Sequence, residues 1–333
     1  MHEDDPGRTG DSLRTDKTGH DAAEVAPTGD QHSIGYGRQE VVVTEVGATL
    51  RSYRVGDDSV VDGFPVTDIS SSGRGQVLAP WPNRVGDGRY AYEGIEGRVA
   101  LDEPERRNAI HGLVRWLPWR LVSRAQNVVV LACRLYPQPG YPWMIDLAVE
   151  YRLGRAGLAV TTEVTNPGTL PAPFGLGFHP YLTVGTPSID TARLKVPAGR
   201  RLVADERGLP TGEAAVEGTE LDFRVGHRIG SLRLDTAYFD LERSADGLAS
   251  VELEDSGAGR RLAVWMDTCF GYVMVFTGDT VHPASSRRTA LAIEPMTCPP
   301  DALRSGRDLV RIAPGDIWRA TWGITPDGLG RSI

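Results

Sequence analysis

The sequence predicts an all-β protein folded as one large antiparallel β-sandwich. From about residue 38 onward, short runs of β-branched and aromatic residues recur between Gly, Pro, Asn and Asp, as is typical of strands joined by turns. The 333 residues include 39 Gly and 23 Pro, both above the average usage of about 7% and 5%. No stretch of about 12 residues or more shows a convincing helical pattern. These three observations favour a sandwich with long functional loops.

The first predicted strands follow one another closely. Residues 41–55 (VVVTEVGATLRSYRV) give one strand, a break at glycine and a second strand. Residues 89–101 are typical of a hairpin that turns at Glu93-Gly94, because glycine supports the left-handed backbone of a tight turn. Residues 128–135 (VVVLACRL) predict a buried strand.

The second half of the chain continues this pattern. Residues 144–164 predict two strands around a turn at 154–157, and residues 251–266 predict two more around 255–259. Residues 272–277 (YVMVFT) predict a further strand, so we expect at least nine strands in all.

Composition divides the chain into two parts. Residues 1–36 are polar and turn-rich, with no aromatic residue before Tyr36, so they bury too little apolar surface to offset their ordering entropy. We therefore expect a disordered N-terminal tail over residues 1–36. Residues 37–333 are expected to form a single β-sandwich domain, because no fixed-period repeat or change of composition marks a linker.

Charge and cysteine content exclude several classes of protein. The net charge of −8 and the pI of about 5.5 give no basic surface for nucleic acid or for a membrane. The three cysteines are far apart and show no metal-ligand spacing, which argues against a disulfide scaffold or a zinc site. No signal peptide or membrane span is visible. We expect a cytoplasmic protein that acts on a small molecule.

Two candidate functional segments precede the middle of the chain. In APWPNR, two prolines fix the backbone around Trp81 and leave the planar, five-donor side chain of Arg84 able to clamp hydroxyl oxygens. In NAIHGL, His111 lies beside a glycine and is followed by Trp116 and Trp119. Aromatic faces stack on sugar rings while imidazole bonds hydroxyls. A structural arginine and a structural histidine remain open alternatives.

Two more candidates follow. His179 lies in FGLGFHPYL, where Pro180 restricts its backbone to extended or turn conformations and so aims the ring in a fixed direction. This bracketing favours a functional histidine over a structural one. Asp235 interrupts an apolar run beside an aromatic residue, and a turn aspartate is the leading interpretation of that residue taken alone.

The fifth candidate is Glu294. The apolar run 289–293 predicts a strand that ends at Glu294, with Pro295 preventing its continuation. A carboxylate at the mouth of a β core is partly desolvated, so its pKa is expected to be raised, which suits a general base. Carboxylates are rarely buried without a partner or a function.

Taken together and in this order, the five segments resemble the aldose 1-epimerase (galactose mutarotase) family over residues 38–328. The motifs that carry the resemblance are Asn83-Arg84, Asn108 with His111-Gly112, His179-Pro180-Tyr181, Leu234-Asp235 and Glu294-Pro295. The set is more specific than any one motif. It implies a β-sandwich of the galactose mutarotase type with the sugar in an open cleft on a concave sheet.

The resemblance also implies a role for each residue. Glu294 matches the family's base and His179 its general acid. The positions expected to hold the sugar hydroxyls are Arg84, His111 and Asp235, with Asn83 as a support for Arg84.

The implied reaction interconverts the α and β anomers of an aldose. It requires the C1 hydroxyl to be deprotonated and the ring oxygen protonated, so that the ring opens, the C1–C2 bond rotates and the ring closes on the other face. One carboxylate and one protonated imidazole are sufficient. We therefore expect no cofactor and no metal.

Two departures from the family pattern bear on the substrate. Leu113 stands where typical galactose mutarotases have a second glycine, and Gly177 stands where they have an asparagine. The expected substrate is therefore an aldohexose of unassigned identity. Arg115 could hold the phosphate or sulfonate of an anionic hexose, although an arginine without a ligand is the leading interpretation.

Two rival functions remain at this point. A non-catalytic carbohydrate-binding protein could share the sandwich, because fold does not imply function. A glycoside hydrolase would use two carboxylates, which Asp235 and Glu294 could supply, but His179 would then have no role. A monomer and a homodimer are both compatible with the sequence.

Overall fold

Antiparallel strands are the main regular structure of the protein. The computed structural model describes residues 26–330. In chain order the strands of this region are β1 (Gln31–Tyr36), β2 (Gln39–Thr44), β3 (Leu50–Val55), β4 (Asp58–Val61), β5 (Val77–Leu78), β6 (Arg84–Gly86), β7 (Arg89–Tyr92), β8 (Ile95–Arg98), β9 (Asn108–Ile110), β10 (Arg120–Ala125), β11 (Val128–Leu135), β12 (Ile145–Gly154), β13 (Gly157–Thr165), β14 (Ala172–Phe174), β15 (Gly177–Phe178), β16 (Tyr181–Leu182), β17 (Arg193–Lys195), β18 (Ala198–Ala204), β19 (Pro210–Ala215), β20 (His227–Arg228), β21 (Asp235–Leu241), β22 (Ala249–Asp255), β23 (Arg260–Met266), β24 (Tyr272–Phe276), β25 (Leu291–Met296), β26 (Val310–Ile312) and β27 (Ile317–Asp327).

Helical structure is confined to single turns. The described residues contain one short α-helix, α1 (Ala302–Ser305), and three 3₁₀ turns at Pro104–Arg106, Ile189–Thr191 and Ala284–Ser286. Between residues 26 and 330, no helix has the length and apolar character needed to cross a membrane.

Two large sheets form the sandwich. The 12-stranded sheet has the order β1-β2-β3-β4-β16-β25-β24-β21-β18-β19, and the short strands β5 and β15 join it beside β25. The nine-stranded sheet has the order β10-β11-β12-β13-β27-β23-β22-β17-β20. The predicted all-β class, a large antiparallel sandwich, is therefore confirmed.

Alternation of side chains along the strands builds one shared core. On β12 every second residue is buried, as expected where one face packs inward and the other faces solvent. The two sheets meet where the rings of Phe178 and Trp322 pack with their centroids 5.0 Å apart. A hydrogen bond from the Tyr151 hydroxyl to the Ala48 carbonyl, 2.6 Å long, links β12 to the turn between β2 and β3.

Most of the predicted strands are confirmed. The hairpin β7–β8 turns at Glu93-Gly94, β12 and β13 join across residues 154–157, and β22 and β23 join across residues 255–260. The buried strand predicted over residues 128–135 is β11.

The predicted disordered tail is wrong at its C-terminal end. Residues 31–36 form β1, which pairs with β2 over six residue pairs. Its alternate residues His32 and Ile34 are buried, with 6% and 3% of their surface exposed. A strand this polar gains its stability from main-chain pairing with β2, which hydrophobic composition does not reveal. Residues 1–25 of the predicted tail lie outside the described residues.

The strand that carries Glu294 also ends later than predicted. β25 continues through Glu294 and Pro295 to Met296, and all six residues are buried. The N–H groups of Ile293 and Thr297 donate to the carbonyls of Pro180 and Leu176, so the nitrogen of Pro295 faces the same neighbouring segment. That segment is interrupted between β15 and β16, and the missing N–H of proline therefore removes no ladder bond.

Candidate active site

An open cleft lies on the outer face of the 12-stranded sheet. Its volume is about 510 Å³, within the range of small-molecule sites. The structure brings all six sequence-predicted residues together here, since the cleft is lined by Asn83, Arg84, His111, His179, Asp235 and Glu294. The 12-stranded sheet positions His179, Asp235 and Glu294, whereas Arg84 and His111 belong to the separate strand pair β6–β9.

A buried carboxyl–imidazole pair forms the floor of the cleft. His179 Nε2 lies 3.4 Å from Glu294 Oε1, and the two side chains are 6% and 2% exposed. His179 sits at the break between β15 and β16, opposite β25. Within the described residues, Glu294 Oε2 and His179 Nδ1 are buried without a hydrogen-bond partner. Buried polar atoms are nearly always satisfied, so two such atoms on facing side chains call for an explanation.

Burial shifts the two pKa values in opposite directions. Desolvation raises the pKa of Glu294 well above its ordinary value, and the nearby charge of Asp235 adds to this effect. Desolvation lowers the pKa of His179 to about 3, and the guanidinium groups of Arg74 and Arg115 act in the same direction. Burial therefore favours the uncharged form of both groups, a protonated carboxyl and a neutral imidazole. Burial of His179 therefore disfavours the protonated imidazole expected from the sequence.

His111 lies beside His179 in a fixed orientation. Their ring centroids are 5.3 Å apart in an edge-to-face arrangement. The backbone N–H of Asn83 donates to His111 Nδ1 at 3.2 Å, so the proton of the neutral ring is on Nε2. Burial holds the pKa of His111 well below its ordinary value, which keeps the ring neutral.

Carboxylates surround the guanidinium of Arg84. Glu103 accepts two hydrogen bonds from it, at 2.8 and 2.9 Å, and Asp235 Oδ2 lies 3.8 Å from Nη1. The Asn83 side chain accepts a hydrogen bond from the Arg84 backbone at 3.0 Å. Burial alone would lower the pKa of Arg84, but its hydrogen bonds with Glu103 raise it. Glu103 was missed from the sequence, because it lies in a polar turn with no spacing that links it to Arg84.

His179, Tyr181 and Arg74 form a stack of three side chains. The rings of His179 and Tyr181 are stacked with centroids 5.1 Å apart and an interplanar angle of 15°. The guanidinium carbon of Arg74 lies 4.4 Å from the Tyr181 centroid, and Asp62 pairs with that guanidinium at 3.0 Å. No sequence pattern singled out Arg74, because its neighbours are small turn residues.

The two tryptophans near His111 have different environments. Trp119 is 1% exposed and belongs to the core, whereas Trp116 is 48% exposed and lines the cleft. Arg115 also lines the cleft, and its guanidinium forms an ion pair with Asp102. Of these residues, Trp116 alone presents a large apolar surface to the cleft.

Gly177 has no room for a side chain. A Cβ atom built on it would lie 2.7 Å from the Cβ of Pro82, closer than real contacts allow. An asparagine here would require movement of the APWPNR segment. The close approach of Pro82 therefore accounts for this departure from the family pattern.

Solved structures share this sandwich. A GalM/aldose epimerase homologue from C. elegans superimposes with a TM-score of 0.80 at 18% identity, covering 90% of this chain and 99% of that one. A galactose 1-epimerase from Lactobacillus acidophilus gives a TM-score of 0.73 at 20% identity, covering 89% of this chain and 94% of that one. The fold is that of the galactose mutarotase-like proteins.

Sequence comparison is more specific. The family model described as aldose 1-epimerase matches residues 30–325, so the chain belongs to the aldose 1-epimerase family. The uncharacterised protein YihR of Escherichia coli K12 is 30% identical over 298 residues, covering 89% of this chain and 93% of its own length. Galactose mutarotase of Sus scrofa is 28% identical over 209 residues, covering 57% of this chain and 58% of its own length. These matches support an epimerase, an enzyme of the isomerase class.

Proposed function

We propose that the protein is an aldose mutarotase that interconverts the α and β anomers of a hexose, with Glu294 as base and His179 as acid. The observation that carries the proposal is the buried pair at 3.4 Å, which faces an open cleft with two unsatisfied atoms. A hydroxyl of the substrate would satisfy Glu294 Oε2. Family membership supports this class of reaction.

Ring opening moves one proton from the sugar to Glu294 and one proton from His179 to the sugar. Glu294 takes the proton from O1 while the C1–O1 bond becomes a carbonyl, the C1–O5 bond breaks, and O5 takes a proton from His179. Rotation about C1–C2 turns the other face of the aldehyde toward O5. The two groups then exchange roles and close the ring.

The proton must first reach the imidazole. Burial favours its location on the carboxyl group, and the separation of 3.4 Å between Nε2 and Oε1 allows its transfer once the atoms approach further. A sugar hydroxyl that donates to Oε2 stabilises the carboxylate and so favours the charged form of the pair. The state left after ring opening, with Glu294 protonated and His179 neutral, is the state that closes the ring.

The remaining residues are suited to holding hydroxyls. Arg84 and Asp235 lie on one side of Glu294, and His111 Nε2–H is available as a donor because Nδ1 is already occupied. Asn83 contacts Arg84 and His111 through its amide oxygen and its backbone N–H, so we assign it a supporting role.

An anionic hexose is the second candidate substrate. It is favoured by Arg106 and Arg115, which line the cleft. Each of them already contacts a carboxylate, Glu103 at 3.7 Å for Arg106 and Asp102 for Arg115, so an anionic substrate would have to compete with these partners.

The test measures anomer exchange by NMR or polarimetry on freshly dissolved α-glucose, α-galactose and several anionic hexoses. Glu294→Gln and His179→Ala should each lower kcat by about 10²- to 10⁴-fold, because each removes a proton-transfer group. Glu163→Gln is the matched control, since Glu163 lies on β13 and pairs with Arg319 outside the cleft. Thermal melting reports whether each variant is folded.

Three outcomes decide between the functions. Acceleration of neutral hexoses that Glu294→Gln removes supports the proposal. Stronger acceleration of an anionic hexose assigns the second candidate. A wild-type protein that binds these sugars and accelerates none of them is a carbohydrate-binding protein, and the proposed enzyme is then rejected.

A further inference from the structure

The sheet order gives the cleft two distinct sides. Glu294 lies on β25, between β16 on one side and β24 on the other. His179 immediately precedes β16, whereas Asp235 begins β21, which is the next strand beyond β24. The acid and the proposed hydroxyl-binding aspartate therefore lie on opposite sides of the base.

The side that carries Asp235 is closed. The loop after β18 packs against Arg84 so tightly that a Cβ on Gly208 would lie 2.7 Å from the guanidinium. Arg207 holds this loop in place by donating to the carbonyls of Arg106 and Arg107, each at 2.9 Å. Beyond Arg84 and Asp235 there remains a cavity of about 20 Å³, enough for about one water molecule.

The side that carries His179 is open and leads to Trp116. The backbone of His179 bonds Gln76, whose side-chain amide reaches the Arg115 carbonyl at 3.4 Å. The positive charge of Arg115 also acts on the His179 imidazole and lowers its pKa, so Trp116, which packs against Arg115, lies on the His179 side of the cleft. About half of the Trp116 surface is exposed, and the guanidinium carbon of Arg115 lies 5.5 Å from its ring centroid.

The covalent structure of a pyranose then fixes which substituent faces Trp116. If Glu294 takes the proton from O1 and His179 protonates O5, the C2 hydroxyl lies toward Asp235. C5 is bonded to O5 and carries C6, so C6 points past His179 toward the open side. This step rests on the proposed function.

We propose that Trp116 is the platform of a second sugar subsite, and that it binds a neutral pyranose ring linked to C6 of the aldose undergoing mutarotation. The substrate class would be a 1→6-linked reducing disaccharide. An exposed indole suits this occupant, because the C–H face of a pyranose packs on aromatic rings. The ion pair of Arg115 with Asp102 offsets the positive charge nearest to the ring, which suits an uncharged group.

The test compares kcat/KM for isomaltose, gentiobiose and maltose with kcat/KM for glucose. Trp116→Ala should lower the ratio of the isomaltose value to the glucose value by about 2- to 10-fold, the size of one aromatic contact. Trp116→Phe should restore most of this ratio, since it keeps an aromatic face. Tyr136→Ala is the matched control, because Tyr136 is 61% exposed and has Arg134 over its ring at 6.0 Å on the nine-stranded sheet.

The outcomes distinguish a failure of the proposed subsite from a failure of the proposed reaction. If the protein accelerates anomer exchange of glucose, but the ratio of kcat/KM for isomaltose to kcat/KM for glucose is the same in Trp116→Ala, the subsite is overturned and the proposed function stands. An effect of Trp116→Ala on maltose that equals the effect on isomaltose overturns the assignment to C6. No acceleration of glucose or of any disaccharide overturns the proposed function, and the subsite with it.

Discussion

Replacing Arg74 by glutamine should move the acid limb of the pH–rate profile to higher pH. The guanidinium of Arg74 stacks on Tyr181, which stacks on His179, and this positive charge lowers the pKa of the imidazole in addition to the larger effect of burial. Without the cation, the His179 imidazole is protonated at a higher pH, and a pair in which both groups are protonated has no base. The sign follows directly, since loss of a neighbouring positive charge raises the pKa of a group that becomes cationic.

The size of the shift follows from the separation. The two centroid distances of 4.4 and 5.1 Å place the charge within about 9.5 Å of the imidazole. Coulomb's law gives about 1.7 kcal/mol at that separation for an effective dielectric constant of 20, and about 0.4 kcal/mol for water. At 1.36 kcal/mol per pH unit, the expected shift is about 0.3 to 1.3 pH units. Asp62 then lacks its cation, and its negative charge acts in the same direction.

The assay is kcat/KM for anomer exchange against pH, with the buffer-catalysed rate subtracted at each point. Titration of His179 by NMR on histidine-labelled protein gives the same pKa without turnover. Arg74→Lys keeps the charge and should keep the profile, which separates the electrostatic effect from lost stacking. Arg134→Gln removes an arginine paired with Asp146 on the other sheet and should change nothing. An acid limb that stays in place or moves to lower pH in Arg74→Gln refutes the reasoning.

Two further predictions concern the fold around the site. Deleting residues 1–25 should leave activity and the melting temperature unchanged. Deleting residues 1–36 also removes β1, exposes the edge of β2 with which it pairs and should lower the melting temperature. Equal effects of the two deletions would contradict the assignment of β1. Gly112→Ala should lower the free energy of unfolding by more than about 2 kcal/mol and also reduce activity, because a Cβ would lie 2.1 Å from the Ala79 carbonyl oxygen at a φ of +75°. Gly94→Ala, with a φ of +83° and nothing within 4 Å of the added atom, is the control that carries the backbone strain alone, and denaturant titration compares the two. Equal losses in both variants would show that the contact with Ala79 has no effect.

Local sequence patterns predicted the strands whose signal is local. β11 and the hairpin β7–β8 combine β-branched or aromatic runs with turn glycines, and both were found where expected. β1 was missed because its stability comes from pairing with β2 rather than from its own apolar content. The end of β25 was misplaced because a proline is tolerated within this strand only where the neighbouring segment is interrupted, and the sequence does not show that interruption.

The residues of the candidate site also divide into those that a local sequence motif reveals and those that only the fold reveals. Residues in distinctive motifs, such as His179 and Glu294, could be found from the sequence, and the cleft contains both. Glu103 and Arg74 contact partners that are close to them only in the folded chain, so no sequence spacing predicts their place in the site. The raised pKa of Glu294 was expected from its position, but the lowered pKa of His179 was not, because it depends on how completely that side chain is buried.

The order of the strands around Glu294 has a consequence for biosynthesis. β25 inserts between β16 and β24, and Asp301 beyond it accepts a hydrogen bond from the Gly86 backbone, 215 residues earlier in the chain. A nascent chain that has not released its last strands from the ribosome therefore has a sheet with an unfilled position at its centre. Contacts of such long sequence separation form late and slowly. Recovery of activity during refolding should accordingly report completion of the whole sandwich rather than formation of any one hairpin.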